Sequence, residues 1–398
     1  MIVCRRLRGG RSAVQTFDVI VVGGGPAGSS CAWRLGQAGR SVLVLDKKPF
    51  PRDKPCAGWI TPLVVSALHL DVEAYRQGRT WQPITGVGCG TLGGDTIVVD
   101  YGQVISYGIR RCQFDHYLLN RCGATLHLGE AVASLQRQGN LWRINDRYLA
   151  PVLVGAGGHF CPVARHLGAR RQPCASQVVA QEIEFPAPPE VRQRVAPDKP
   201  WLLFCRDLRG YGWCFRKEEY LNIGLGRTVA EGFSEMLEEF RAHLAARGLP
   251  TPDRSAWKGH AYQLYDAPPK LVDDGVLLVG DAAGLAYAQS GEGIRPAVES
   301  GLLAAQTILS AREPWDQPAL AVYEQLVRKR LGHPRHGGGL IWLPRSWREA
   351  LAMQLLRQRW FARAVVMDRW FLHRSDPPLA IDGGVPDAER ADVASSCR

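Results

Sequence analysis

The stretch Phe17-Asp18-Val19-Ile20-Val21-Val22-Gly23-Gly24-Gly25-Pro26-Ala27-Gly28 decides the fold. Its first half is a short apolar, β-branched run, the composition of a buried strand, and it stops on glycine. A helical stretch to about Gln37 follows and ends at Gly39, and Ser41 to Leu45 reads as the next strand. Strand, tight turn, helix and strand within about thirty residues make a βαβ unit, the building block of a parallel sheet. In Gly23-x-Gly25-x-x-Gly28 each glycine has its own task. Gly23 makes the tight turn, Gly25 lets a pyrophosphate approach the backbone, and Gly28 lets helix and strand pack closely. Pro26 and Ala27 open the helix, whose free N–H groups and dipole favour phosphate. Asp46, followed by Lys47, ends the second strand where a carboxylate receives ribose hydroxyls. A bound dinucleotide is therefore predicted.

A second motif, more than 250 residues on, identifies which dinucleotide. Gly275 to Val279 reads as a buried strand and runs into Gly280-Asp281-Ala282-Ala283-Gly284. A carboxylate at Asp281 can accept a hydrogen bond from a ribityl hydroxyl, which FAD has and NAD lacks. The competing role for Asp281 is an ordinary helix N-cap. Gly291-Glu292-Gly293-Ile294 then opens another helix, whose N-terminus can stabilise negative charge on a reduced flavin ring.

Between these motifs the pattern changes. Arg111 to Arg121 looks helical, and Pro151 to Val154 is a buried strand ending at Gly155-Ala156-Gly157-Gly158. Trp201 to Arg206, Tyr211 to Arg216 and Leu221 to Gly226 are short strands joined by tight turns, the mark of an antiparallel sheet. The predicted class is mixed α/β: a Rossmann-like FAD-binding domain interrupted by an antiparallel-sheet substrate domain, plus C-terminal helices. Residues 16–80, 100–170 and 266–315 are assigned to the first, 81–99 and 171–265 to the second, and 316–398 to the helical region.

Composition narrows the function. The 398 residues include 11 cysteines, an odd number without one Cys-x-x-Cys pair, which argues against a disulfide framework, a zinc knuckle or a cysteine-ligated cluster. Reduced thiols fit a cytoplasmic enzyme, and Met1 to Cys4 is too short for a secretory apolar region. The net charge of +11 sits at the flanks, in Arg5, Arg6, Arg8 and Arg11 and in a Trp- and Arg-rich region from about Arg328 to Arg374. No nucleic-acid recognition module is visible. Trp342, Trp347, Trp360 and Trp370 among arginines match either an interfacial helix on the inner face of a membrane or a cap on the substrate domain.

Four blocks carry a resemblance. They are the Gly23 fingerprint with Asp46; Pro51-Arg52-Asp53-Lys54-Pro55-Cys56-Ala57-Gly58; Gly210-Tyr211-Gly212-Trp213-Cys214-Phe215; and Gly280-Asp281 through Gly291-Glu292-Gly293-Ile294 to Ser300-Gly301. With these the chain resembles the geranylgeranyl reductase family, within the flavoproteins built like p-hydroxybenzoate hydroxylase. The resemblance implies non-covalent FAD, a transient reductant such as NAD(P)H or ferredoxin, and reduction of a carbon–carbon double bond in a prenyl or other lipid-like substrate. It implies that Arg111 contacts FAD and that Cys56 lies over the flavin near the reacting bond. A thiol there can protonate the carbon opposite hydride delivery; its competing role is a small buried hydrophobe. Tyr211, Trp213 and Phe215 alternate, so in a strand they share one face, either a wall for an apolar chain or a sheet packed in its own core. Arg52 and Lys54 are either flavin-loop contacts or solvated charges. The family's pattern has Glu at Asp46, Pro at Arg216 and Pro at Ala288, and the wider class has Gly-Ala-Asp-Gly at Gly155-Ala156-Gly157-Gly158. The rival chemistries are a monooxygenase or halogenase on this scaffold, and an electron-transfer flavoprotein without a small-molecule substrate. The oligomeric state is not legible.

Overall fold

A computed structural model describes residues 14–169, 177–228, 230–249, 251–265, 270–332 and 344–381. Arg5, Arg6, Arg8, Arg11 and Trp342 lie outside these. The principal elements, in chain order, are β1 (Val19–Val22), α1 (Pro26–Gln37), β2 (Val42–Asp46), β3 (Gly86–Thr91), β4 (Thr96–Asp100), α2 (Arg111–Asn120), β5 (Thr125–Leu128), β6 (Val152–Gly155), β7 (Gln177–Pro186), β8 (Trp201–Phe204), β9 (Gly210–Lys217), β10 (Tyr220–Arg227), α3 (Phe233–Ala246), β11 (Lys258–Gln263), β12 (Val272–Asp273), β13 (Val276–Leu278), α4 (Ile294–Ser310), α5 (Val322–Leu331) and α6 (Arg345–Leu356). A π-helix, Ala362–Phe371, follows.

The first sheet has the order β12-β13-β6-β1-β2-β5. All its pairs are parallel except β12 with β13. β1 is buried at all four positions, as a strand covered on both faces must be. The register matches Val22 with Leu45 and with Gly155, and Gly155 with Leu278. Strand ends as far apart in the chain as Val22 and Leu278 are thereby levelled, and Gly23, Asp46, Ala156 and Gly280 emerge along one edge. Ligands of open α/β sheets bind at this carboxyl edge. α1 crosses α4 so closely that a Cβ at Gly301 would collide with the carbonyl of Ala27. The close approach explains a glycine inside a helix.

The second sheet has the order β11-β7-β10-β9-β8-β3-β4. The three predicted strands are β8, β9 and β10, antiparallel in sequence. One further pair in this sheet runs parallel, β8 with β3, with Trp201 opposite Gly88. The β3–β4 hairpin arrives from far upstream, so no tight turn constrains its direction. One face of this sheet packs Cys214, Ile223 and Leu225 under α3. The other carries Trp213 and Phe215 against Leu356, Val366, Met367 and Phe371 of the C-terminal helices. No helix among the described residues is long and apolar enough to cross a membrane.

Candidate active site

The first glycine loop is shaped for an anion. Gly23 has φ of 115°, and a Cβ there would run into the Ala156 carbonyl. At Gly25, by contrast, a Cβ would meet only Arg52 Nη2, at 3.3 Å. The backbone is thus open on the side where a phosphate approaches, with a guanidinium at the rim. α1 starts there with no side-chain cap and no acidic residue in its first turn, so its first N–H groups are left for a ligand. Asp46 braces the loop: Oδ2 accepts from Gly24 N at 2.8 Å and Oδ1 from Lys48 N at 2.9 Å. Each carboxylate oxygen keeps a second lone pair for a ribose hydroxyl. Lys47 is exposed beside it.

Arg52 and Lys54 are both partnered. Arg52 stacks over Phe50 and lies 3.5 Å from the buried Asp115. Asp115 also takes a two-pronged pair from Arg111, at 2.7 and 2.8 Å. Burial works against the Arg111 charge, but Asp115 and then Cys56 outweigh it and strengthen its hold on the proton. Lys54 Nζ reaches Asp281 Oδ2 at 2.8 Å. Asp281 sits in a short turn of 3-10 helix and caps no helix by its side chain. Burial opposes its ionisation, yet Lys54 and His260 hold the carboxyl far below the usual carboxylate range. Its other oxygen, Oδ1, lies 3.3 Å from where a Cβ of Gly293 would stand, facing the second glycine loop.

That loop, Gly291 to Gly293, leads into α4 at Ile294, and Gly293 provides no side-chain cap. Glu292 Oε1 accepts from Arg295 N at 3.2 Å, while Oε2 is buried without a partner. Burial pushes this carboxyl up to about 7, against the opposing pull of Arg295. Gly155, Ala156 and Gly157 line the same sheet edge, and Gly157 lies against Cys161 where the wider class has a carboxylate.

Cys56 is half-buried, and its sulfur accepts from Gly58 N at 3.4 Å. Ala57 packs at the margin of the aromatic cluster. The thiol interacts electrostatically with Arg111 and with two phenols, Tyr211 and Tyr262. Tyr211, Trp213 and Phe215 do share one face of β9, and Tyr211 donates to the carbonyl of Ser290, just before the second glycine loop. Phe371 covers this wall, 5.4 Å from Trp59 and 5.5 Å from Tyr211 between ring centres. The sequence motifs missed Tyr262 and His260, which reach the site from β11; a lone strand of mixed polarity carried no signal. They also missed that Lys54 pairs with Asp281.

A glycine loop opening an uncapped helix, a carboxylate at the end of β2 and a distal carboxylate beside a second uncapped helix are the arrangement expected of an FAD-dependent oxidoreductase. A family model described as FAD dependent oxidoreductase matches residues 18–103. The chain is 30% identical over 337 residues to a menaquinone reductase of Mycobacterium tuberculosis, covering 76% of this chain and 78% of that one. It is 28% identical over 345 residues to a digeranylgeranylglycerophospholipid reductase of Methanocaldococcus jannaschii, covering 80% and 84%. A geranylgeranyl bacteriochlorophyll reductase-like protein of Thermoplasma acidophilum has the same fold, with a TM-score of 0.69, 20% identity and coverage of 86% and 88%. The chain belongs to the geranylgeranyl reductase family of FAD-dependent oxidoreductases.

Proposed function

We propose that this enzyme reduces a carbon–carbon double bond in a prenyl or other lipid-like substrate, with NAD(P)H or ferredoxin as a transient reductant. The observation that carries this reading is the position of Cys56. Its carbonyl is held by Asn222 of the second sheet, its side chain packs against the cluster that includes Ile294 at the start of α4, and it interacts electrostatically with Arg111, Tyr211 and Tyr262. When bound, FAD supplies the hydride. Gly25, Arg52 and the start of α1 would hold its pyrophosphate, Asp46 its ribose, Asp281 its ribityl chain, and Gly291 to Ile294 the polar end of its ring. The Cys56 thiol donates the proton to the second alkene carbon. Arg111 stabilises the thiolate left behind, and Tyr211, Trp213 and Phe215 keep the chain dry.

The decisive experiment is Cys56→Ala. The variant should keep FAD and its reduction by the donor, while turnover of a prenyl alkene falls about 10²-fold. Cys56→Ser should be intermediate. Wild-type rates in both variants, or product formed only with oxygen, would overturn the reading; the second result is the signature of a monooxygenase. No alkene-dependent turnover in any variant is the signature of an electron carrier.

We also propose peripheral contact with an anionic membrane face, from which such a substrate would be drawn. Trp347 and Trp360 are 68% and 61% exposed, and Leu351 is 40% exposed. Arg357 and Arg359 are exposed next to Trp360. The opposite side of the same helices covers the aromatic wall.

A further inference from the structure

Behind the Cys56 loop lies a polar network in a setting that is otherwise apolar. Glu182 and Glu184 alternate on β7 and so project to one face, where Asn222 of β10 and Lys217 of β9 meet them. Asn222, Lys217 and Glu182 are all buried. Lys217 Nζ pairs with Glu184 Oε1 at 2.8 Å, and Arg110 Nε with Oε2 at 3.0 Å. Two cations thus share Glu184, and Asn222 is the hydrogen-bond partner of the second carboxyl, Glu182.

Those contacts fix the amide of Asn222 without ambiguity. The indole of Trp213 is a donor only, so the oxygen of Asn222 must face it, and Oδ1 accepts from Trp213 Nε1 at 2.7 Å. The nitrogen then faces the other way. Nδ2 donates to Glu182 Oε2 at 2.8 Å and to the carbonyl of Cys56 at 3.2 Å. The carbonyl of Cys56 is therefore held by Asn222, and Asn222 in turn by Glu182. The same amide that holds this carbonyl is anchored to the aromatic wall.

We propose that Asn222 is a positioning residue that makes the placement of the Cys56 thiol depend on what packs against Trp213. The proposal rests on the role given to Cys56 above. Asn222 is 1% exposed, so both bonds are shielded from bulk solvent. Separating the amide from the indole would leave a buried donor and a buried acceptor unpaired, which costs more than letting the amide follow the ring. An apolar chain that shifts Trp213 must therefore shift the Cys56 carbonyl as well. Substrate arrival on the wall and alignment of the proton donor become one adjustment. A buried asparagine that merely satisfied core polar groups would show no such dependence.

The test reads Cys56 itself. In FAD-loaded protein, the rate of alkylation of Cys56 is followed by site-resolved mass spectrometry, with and without geranylgeraniol as the apolar probe. Wild type is compared with Trp213→Phe, which keeps an aromatic ring and removes the indole N–H, and with Asn222→Ala. In wild type the probe should change the Cys56 rate by about tenfold, the scale of one buried hydrogen bond. In both variants the response should shrink below about twofold while FAD content and its visible spectrum stay as in wild type. If Asn222→Ala loses FAD, Trp213→Phe carries the comparison. An undiminished response in Trp213→Phe, or none in wild type, overturns the proposal. Kinetics supply a second arm: Asn222→Ala should lower kcat with little effect on KM, and should slow nothing further in a Cys56→Ala background. Equal slowing in both backgrounds overturns it too. Failure of the proposed reaction shows differently, as absence of alkene reduction by wild type while the alkylation response persists.

Discussion

Lys54 Nζ stands 2.8 Å from Asp281 Oδ2, joining positions 227 apart in the chain. The loop after the second strand and the last glycine motif are thus tied by a charge pair that is mostly out of water, with the side chains 24% and 12% exposed. Lys54→Met should leave Asp281 with only the more distant His260, at 3.8 Å, and cost about 1–3 kcal/mol in the FAD-free protein. The sign with pH follows from the depressed carboxyl of Asp281. Its stabilisation is present above the unfolded value near 4 and is lost as pH falls through the lower folded value. Denaturant midpoints measured below about pH 4 should therefore converge for wild type and variant. A gap that stays constant from neutral to acid pH would show that the pair contributes nothing.

If the pyrophosphate lies against Gly25, a side chain at that position would take its place. Gly25→Val should yield colourless protein with its fold retained by circular dichroism. Asp281→Ala should lose most FAD for a different reason, the missing ribityl acceptor. Yellow Gly25→Val protein would place the pyrophosphate elsewhere.

Asp46 accepts from the loop and from Lys48, so its removal acts twice. Asp46→Ala should weaken FAD about ten- to a hundredfold, the loss of a charge-assisted bond of about 1.5–3 kcal/mol. The spectrum at saturation should stay unchanged, because the adenosine end is far from the ring along the dinucleotide. Titration of the apoprotein with FAD gives the answer; unaltered affinity means that the carboxylate serves the loop alone.

Glu292 makes the opposite pH prediction. Burial raises its carboxyl to about 7, so unfolded chains ionise this group first. Between about pH 4.5 and 7 the native state binds more protons than the unfolded state, and stability falls as pH rises, by at most about 3 kcal/mol in all. Glu292→Gln keeps the acceptor for Arg295 N and removes the titration. Relative to wild type, its urea midpoint should be unchanged near pH 4.5 and higher at pH 7.5, measured without FAD. Equal differences at both pH values would mean that Glu292 is ionised throughout.

The exposed tryptophans give a surface prediction. Wild-type protein should float with vesicles containing phosphatidylglycerol and less with neutral phosphatidylcholine. A Trp347→Ser, Trp360→Ser double variant should bind either poorly, with detergent-dispersed substrate still turned over. Flotation that is indifferent to both lipid charge and the two tryptophans would remove the membrane reading.

The local grammar of the chain was legible. β1, α1 and β2 follow from the run Val19 to Val22, the glycine spacing and the apolar run into Asp46, because the strand period, the glycine turn and the helix start are all short-range properties. The alternation of Tyr211, Trp213 and Phe215 likewise placed three rings on one face, since a strand has no other option. By contrast, the parallel pairing of β8 with β3 has no local signal, and neither has the π-helix that covers the aromatic wall.

By itself the sequence determined the class of the protein, because a dinucleotide fold is written in contiguous residues whose backbone demands only glycine can meet. What only the tertiary structure decided is which side chains meet. Lys54 with Asp281, Asn222 between Trp213 and Cys56, and the buried Glu182 are all pairings across 150 residues or more, or across separate strands of a sheet. Such contacts depend on register and on the angle between two sheets, and on burial that makes each polar group require a partner. No spacing along the chain encodes them, because the partners are neighbours only after the chain has folded.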